Sequence, residues 1–116
     1  MNETPLVSVL IINWNTRALL VEAIDSIYKT APAVPLEIIV VDNASNDDSC
    51  EYLAAHYQSV RLIRNSENVG FARANNQAAR AAGGKYLLLL NSDACLLPGA
   101  LCALINLAEA NPNLSV

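Results

Sequence analysis

Four short apolar runs alternate with four stretches of helical periodicity, and this alternation constrains the fold more than any other feature of the sequence. The runs cover residues 7–12, 36–41, 60–63 and 86–90. Runs that are apolar at consecutive positions favour strands covered on both faces, as in a parallel sheet. Short crossovers between such strands are right-handed. The order β-α-β-α-β-α-β-α therefore predicts an α/β fold with an open, doubly wound, mainly parallel sheet and helices on both faces.

Between the runs, apolar residues recur every three or four positions, which is typical of amphipathic helices. Ser45 and Asp48 have capping-box spacing before the second helix, and Gly83-Gly84 favours a stop after the third. Pro98 and Asn111-Pro112 are predicted to bound the fourth helix. The predicted buried stripes are Leu20, Ala23, Ile24, Ile27 and Tyr28; Cys50, Leu53, Ala54 and Tyr57; Phe71, Ala74, Ala78 and Ala81; and Leu101, Leu104, Ile105 and Ala108.

The size and composition favour one folded domain, or part of one. The chain has 116 residues, of which 53% are hydrophobic and 16% charged, and its net charge of −4 argues against a nucleic-acid partner. The run at 7–12 is too short to span a membrane, and no basic segment precedes it as in a signal peptide, so a cytoplasmic location is expected. Three cysteines without CxxC spacing predict free thiols. Residues 113–116 look like the start of another strand, and we expect a domain truncated at its C-terminus.

Polar residues follow three of the apolar runs, at the edge where open α/β sheets bind ligands. Turns are polar in general, and Asn, Asp and Ser often cap helices. Neither fact explains an aromatic residue at Trp14, or a carboxylate at Asp93 with no helical pattern directly after it. A strand-end carboxylate can hold Mg²⁺ together with substrate phosphates, and an indole offers a face to a pyrimidine. The residues after the runs are Asn13, Trp14 and Asn15; Asp42, Asn43 and Ser45; and Asn91, Ser92 and Asp93.

No GxGxxG or Walker A loop occurs, so a Gly-rich phosphate cradle is not predicted. Two rival classes fit the sequence poorly. A flavodoxin-like phospho-receiver should carry an Asp after its third strand, where Arg64-Asn65 stands. A nucleotidyltransferase usually has a Gly-rich loop after its first strand, where Asn13-Trp14-Asn15 stands. A non-catalytic nucleotide-binding module remains as an alternative.

Four sequence blocks together resemble glycosyltransferase family 2, whose members have the GT-A fold. They are VSVLIINWN (7–15), IIVVDNASND (38–47), NVGFARANN (68–76) and LLLLNSD (87–93), in the family's order and over nearly the whole chain. The third and fourth blocks look most like the bacterial rhamnosyltransferase-like branch. The resemblance implies an inverting enzyme of polysaccharide biosynthesis that uses a UDP- or dTDP-linked sugar. It also implies a divalent metal, Mg²⁺ or Mn²⁺, and a glycan or lipid-linked saccharide as acceptor.

The resemblance also implies roles for individual residues. Trp14 would lie against the base, Ile12 would also help bind the nucleotide sugar, and the Asp42 carboxylate would accept the N3–H of a uracil or thymine. Gly70 and Asn76 belong to the third block and are expected to help bind the nucleotide sugar. Asn91-Ser92-Asp93 matches the DxD motif, with Asp93 as metal ligand.

Three features depart from the family pattern or are missing. Asn91 replaces the first Asp of the usual motif, which leaves one carboxylate for the metal. Asn75 stands where many relatives carry Arg, and whether Arg73 reaches the diphosphate instead is open. The general base of the family lies in the later half of the domain, so no catalytic residue is assigned here. We therefore expect the chain alone to be inactive, to self-associate through the surface that the later half would cover, and to work in the cytoplasm or at the inner face of the membrane.

Overall fold

The computed structural model describes residues 4–30, 35–96 and 99–110, which form alternating strands and helices. All strand pairs are parallel, and the sheet order is β3-β2-β1-β4. The predicted fold class is thereby confirmed. The elements are β1 (Val7–Asn13), α1 (Arg17–Thr30), β2 (Leu36–Asp42), α2 (Ser49–His56), β3 (Arg61–Arg64), α3 (Phe71–Ala81), β4 (Tyr86–Leu89) and α4 (Ala100–Ala110).

The sheet separates two apolar layers, because side chains alternate between its faces. On one face, Val9 and Ile11 of β1 pack with the buried stripes of α1 and α4. On the other face, Leu10, Ile39 and Val41 pack against Ala74 and Ala78 of α3, whose small side chains let the helix lie close to the sheet. None of the described helices has the length and apolar character needed to cross a membrane.

All four predicted strands differ from the structure by one residue at one end or both, and β1 and β2 each end one residue later than predicted, at Asn13 and Asp42. The third strand is Arg61–Arg64 rather than 60–63, because the Val60 N–H bonds to the Tyr57 carbonyl in the preceding turn. The fourth ends at Leu89, although the Leu90 N–H still bonds to Leu10. Both strands lie at sheet edges and are partly exposed, unlike the central pair β1 and β2.

The predicted capping box at Ser45 and Asp48 is wrong. Asp48 makes no side-chain capping bond, and the Ser45 hydroxyl donates to Asp42 instead. The start of α2 is held by Asp47, whose carboxylate accepts bonds from the Ser49 backbone N–H at 3.0 Å and from its hydroxyl. Hydrogen bonds from Ser49 and from the Arg17 backbone lower the pKa of Asp47, although partial burial, the largest single influence, acts in the opposite direction.

Three residues of the predicted buried stripes are exposed: Tyr28, Ala54 and Phe71. Tyr28 donates or accepts a hydrogen bond with Ser59 at the surface. Phe71 is the first residue of α3, near the carboxyl ends of the strands. Pro98, Asn111-Pro112 and residues 113–116 lie outside the described residues.

The link between α3 and β4 passes very close to the central strand. The Gly84 N–H donates to the Ser8 hydroxyl at 2.8 Å. A Cβ at Gly84 would lie 2.6 Å from the Ser8 nitrogen, so only glycine fits without displacing β1. This close approach fixes the start of β4 beside β1, and it therefore helps to position the residues that follow β4.

Candidate functional site

A cavity of about 440 Å³ opens at the carboxyl ends of β1 and β4. From β1 the chain adds β2 and β3 on one side of the sheet and then returns to add β4 on the other side. Ligands of open α/β sheets bind at such a switch point. The cavity is lined by Ile12, Trp14, Thr16, Leu19, Asn43, Asn68, Phe71, Asn91, Ser92 and Asp93. Four of the predicted site residues, Ile12, Trp14, Asn91 and Asp93, are thus brought together at one opening.

Two exposed aromatic rings belong to the cavity wall. Trp14 is 56% exposed at the end of β1, and Phe71 is 59% exposed at the start of α3. Gly70, directly before Phe71, has a φ of +86°, a conformation that glycine adopts without steric cost. Sequence reasoning placed Phe71 in the core. The signal that pointed elsewhere is a large aromatic directly after a glycine at a helix start.

The loop that carries Trp14 is fastened to the loop after β2. Asn15 has a left-handed φ of 54°, and its side-chain oxygen accepts the backbone N–H of Asn46 at 2.8 Å. Its own N–H donates to the Ser45 hydroxyl at 2.9 Å. These bonds tie the backbone on the C-terminal side of Trp14 to the loop after β2.

Asp42 lies beneath the cavity and does not line it. The residue is 2% exposed, and both of its carboxylate oxygens accept hydrogen bonds from the protein. The donors are the Asn13 amide at 2.8 Å, the Ser45 N–H at 2.9 Å and the Ser45 hydroxyl at 2.6 Å. These three hydrogen bonds hold the loops after β1 and β2 together.

Asn43, the next residue along, does line the cavity. Its side-chain oxygen accepts from the Asn65 amide at 2.9 Å, and its amide nitrogen donates to the Gly70 carbonyl at 3.3 Å. Asn65 in turn exchanges two bonds with Gln77, at 2.8 and 2.9 Å. The network ties the ends of β2 and β3 to α3 and holds the Gly70-Phe71 corner at the cavity wall.

Asn91, Ser92 and Asp93 form a turn directly after β4, closed by the Ala94 N–H bonding to the Asn91 carbonyl at 2.9 Å. The Ser92 hydroxyl oxygen lies 3.1 Å from that of Thr16. Asp93 is exposed and is the only charged residue among the described residues that line the cavity. The described residues contain no group of three or more acidic, His or Cys side chains that could hold a metal by themselves.

The available donors on this turn are oxygens, which suit a hard cation such as Mg²⁺ or Mn²⁺. One carboxylate with neutral oxygens beside it is a partial set of ligands. Mg²⁺ commonly completes such a set with water and substrate phosphate oxygens. The residues present fit a cation that arrives with a phosphorylated ligand, and they fit a free cation poorly.

Asn76 and Arg73 lie apart from the cavity. They line a separate depression of about 300 Å³ on α3, together with Val69, Gln77 and Arg80. Gly70 contributes through its backbone, as the acceptor for Asn43. The structure thus separates Asn76 from the other predicted binding residues, and it leaves Arg73 at the outer side of α3.

The sequence model of the family described as Glycosyl transferase family 2 matches residues 8–116. An uncharacterized glycosyltransferase of Haemophilus influenzae is 27% identical over 110 residues, which are 95% of this chain and 37% of that protein. The poly(ribitol-phosphate) beta-glucosyltransferase of Bacillus spizizenii is 33% identical over 110 residues, 90% of this chain and 17% of that protein.

Among solved structures, the fold is similar to that of the mannosyltransferase PcManGT from Pyrobaculum calidifontis in complex with GDP-Man and Mn²⁺. The TM-score is 0.82 at 28% identity, over 97% of this chain and 34% of that one. The chain thus spans between about a sixth and just over a third of the length of the proteins it matches.

Proposed function

We propose that this chain, which belongs to glycosyl transferase family 2, forms the donor-binding part of an enzyme. That enzyme would transfer a sugar from a UDP- or dTDP-linked donor to an acceptor hydroxyl with inversion. Family membership favours a glycosyltransferase over the phospho-receiver and nucleotidyltransferase alternatives. The observation that carries the proposal is the cavity at the switch point, with Trp14 and Phe71 on its wall together with the turn Asn91-Ser92-Asp93.

The proposed division of the cavity follows from its chemistry. Trp14 and Phe71 offer apolar faces on which a flat base or a sugar ring can pack. Asp93 would hold the divalent cation together with the oxygens of the donor diphosphate. When bound, the cation supplies neutralisation of the charge that develops on the leaving nucleoside diphosphate. That PcManGT was solved with GDP-Man and Mn²⁺ supports a metal and a nucleotide sugar as the ligands to test.

For the base contact we propose Asn43 in place of Asp42. Both residues are buried, Asn43 at 3% and Asp42 at 2% exposed, but only Asn43 lines the cavity, and the Asp42 carboxylate is bonded to three protein donors. A carbonyl oxygen can accept two hydrogen bonds, and the Asn43 oxygen receives one from Asn65. We propose that its second lone pair accepts the N3–H of a pyrimidine.

The remaining parts of the reaction rest on the resemblance alone. In the proposed inverting step, the acceptor oxygen bonds to the anomeric carbon as the bond from that carbon to the diphosphate breaks, and a carboxylate base takes the acceptor proton. We assign this base and the acceptor site to parts of the protein outside this chain. A glycan or lipid-linked acceptor, and work in the cytoplasm or at the inner face of the membrane, are proposed on the same ground. So is self-association of the chain, which light scattering across a concentration series tests.

Calorimetric titration with UDP, with and without Mn²⁺, tests the proposal directly. Since Asp93 is the one charged lining residue described, the cation and the diphosphate should each improve binding of the other. We expect Mn²⁺ to tighten UDP binding about tenfold or more. Asp93→Ala should remove this gain, because no described neighbour in the cavity supplies a second carboxylate.

Asp48→Ala is the matched control. It removes an exposed carboxylate that pairs with Arg17 at 3.0 Å and does not line the cavity, so the Mn²⁺ effect should be unchanged. Titrations with dTDP, GDP and ADP complete the set. A wild-type Mn²⁺ response in Asp93→Ala would refute Asp93 as ligand, and GDP or ADP binding as tightly as UDP would refute a pyrimidine donor.

A further inference from the structure

A chain of hydrogen bonds runs from the buried Asp42 to the cavity surface at Ser92. The Asn13 amide nitrogen lies 2.8 Å from Asp42, and the Asn13 side-chain oxygen lies 2.6 Å from the Thr16 hydroxyl. The Thr16 hydroxyl oxygen is 3.1 Å from that of Ser92. Asn13 is 0% exposed, whereas Thr16 and Ser92 line the cavity. The chain connects a buried charge to the residue beside Asp93.

The direction of these bonds is fixed from the buried end. An ionised carboxylate only accepts hydrogen bonds, so the Asn13 amide must turn its NH₂ group towards Asp42 and its oxygen towards Thr16. That oxygen also only accepts, so Thr16 gives it the single hydroxyl proton that Thr16 has. Thr16 is then left as an acceptor, and Ser92 is the donor in the bond between the two hydroxyl groups.

The consequence appears in the cavity. With its proton directed at Thr16, Ser92 presents oxygen lone pairs, and no donor, to whatever binds beside Asp93. A cation, or the water molecules that a cation binds, requires acceptors of this kind.

Thr16 also occupies the residue before α1, where its carbonyl accepts the Leu20 N–H at 2.8 Å. A threonine hydroxyl at this position ordinarily caps the first turn of the helix. Here the hydroxyl bonds to Asn13 and Ser92, and the Arg17 N–H is satisfied by Asp47 at 3.2 Å. The hydroxyl of Thr16 is thus committed to the cavity side of the helix start.

We propose that Thr16 is a positioning residue that fixes the Ser92 hydroxyl as an acceptor next to Asp93, through a hydrogen-bond relay anchored at Asp42. This inference rests on the proposed function, because it assumes that a divalent cation binds at Asp93 with the donor diphosphate. Thr16 and Asn13 would act on the cation through Ser92 and would not contact it.

Thr16→Val is the test, since it keeps the shape of the side chain and removes the hydroxyl. Calorimetry would measure Mn²⁺ affinity of the full chain at saturating UDP, and UDP affinity without metal. We expect Thr16→Val to weaken Mn²⁺ binding about tenfold, and to weaken metal-free UDP binding by a clearly smaller factor. Thr16→Ser, which retains the hydroxyl, should restore Mn²⁺ affinity. Thr30→Val, which removes a hydroxyl bonded to Ser26 at the other end of α1, is the matched control and should change neither affinity.

Ser92→Ala provides a second variant in case Thr16→Val folds poorly. It should cause a similar loss of Mn²⁺ affinity, and the double variant should lose little more, because both changes remove the same oxygen acceptor from its position. Wild-type Mn²⁺ affinity in Thr16→Val or in Ser92→Ala, or equal losses in Thr16→Val and Thr16→Ser, would overturn the relay. A wild-type chain whose UDP binding ignores Mn²⁺ would overturn the proposed metal role and the relay with it.

Discussion

Replacing Asp42 distinguishes a base-binding role for this residue from a role in supporting the loops after β1 and β2. The carboxylate accepts three hydrogen bonds, and hydrogen bonds to a charged group contribute about 1.5–3 kcal/mol each. The two from Ser45 lie in a partly exposed loop where water can replace them. Asn13 is fully buried, and its amide would keep only the longer bond to the Ser45 hydroxyl at 3.3 Å, a loss of about 1–3 kcal/mol. We expect Asp42→Ala to lower the free energy of unfolding by about 1–3 kcal/mol.

Urea denaturation measures that loss, and calorimetry on the folded fraction measures the ratio of UDP to GDP affinity. The ratio in Asp42→Ala should stay within about twofold of wild type, because the carboxylate does not reach the cavity. Asn43→Ala is the informative neighbour: it should change the ratio. If Asp42→Ala instead abolished the preference between the two bases at nearly wild-type stability, the supporting role would be refuted.

Two further predictions follow from the packing. Gly84→Ala should lower the thermal midpoint by an amount corresponding to about 2 kcal/mol or more, because its Cβ would lie 2.6 Å from the Ser8 nitrogen of the central strand. Gly83→Ala should be nearly neutral, because its Cβ would lie 3.6 Å from the Glu37 carboxylate, an ordinary contact, and equal losses in the two variants would contradict the argument. A third prediction concerns thiol–disulfide exchange with an aromatic disulfide reagent at pH 8. The exposed Cys95 and Cys102 should react quickly, whereas Cys50 should react only on unfolding. Burial, with the Asp42 carboxylate nearby, raises the pKa of Cys50 to about 11, so three fast thiols in the folded chain would show that this region opens readily.

The fold was predictable from the sequence because its elements have strong and different periodicities. β1 and β2 are central strands buried on both faces, and their continuous apolar runs are visible without any alignment. The edge strand β3 has Arg61 and Arg64 at its ends, so its pattern is weak and its predicted start was one residue early. Edge positions are partly exposed, and they place fewer demands on residue type than central ones.

The position of the candidate site was predictable, since polar residues after parallel strands lie at the same edge of the sheet. The roles of neighbouring residues at that edge were not. Asp42 and Asn43 are both buried, and only Asn43 lines the cavity. In a half-exposed strand the polar alternation would reveal which is which, but β2 is apolar on both faces and carries no such signal. The carboxylate looked the better ligand by its chemistry, and for the same reason it is the better anchor: a buried group that accepts three hydrogen bonds can orient Asn13, Ser45 and, through Asn13, the cavity wall at Thr16.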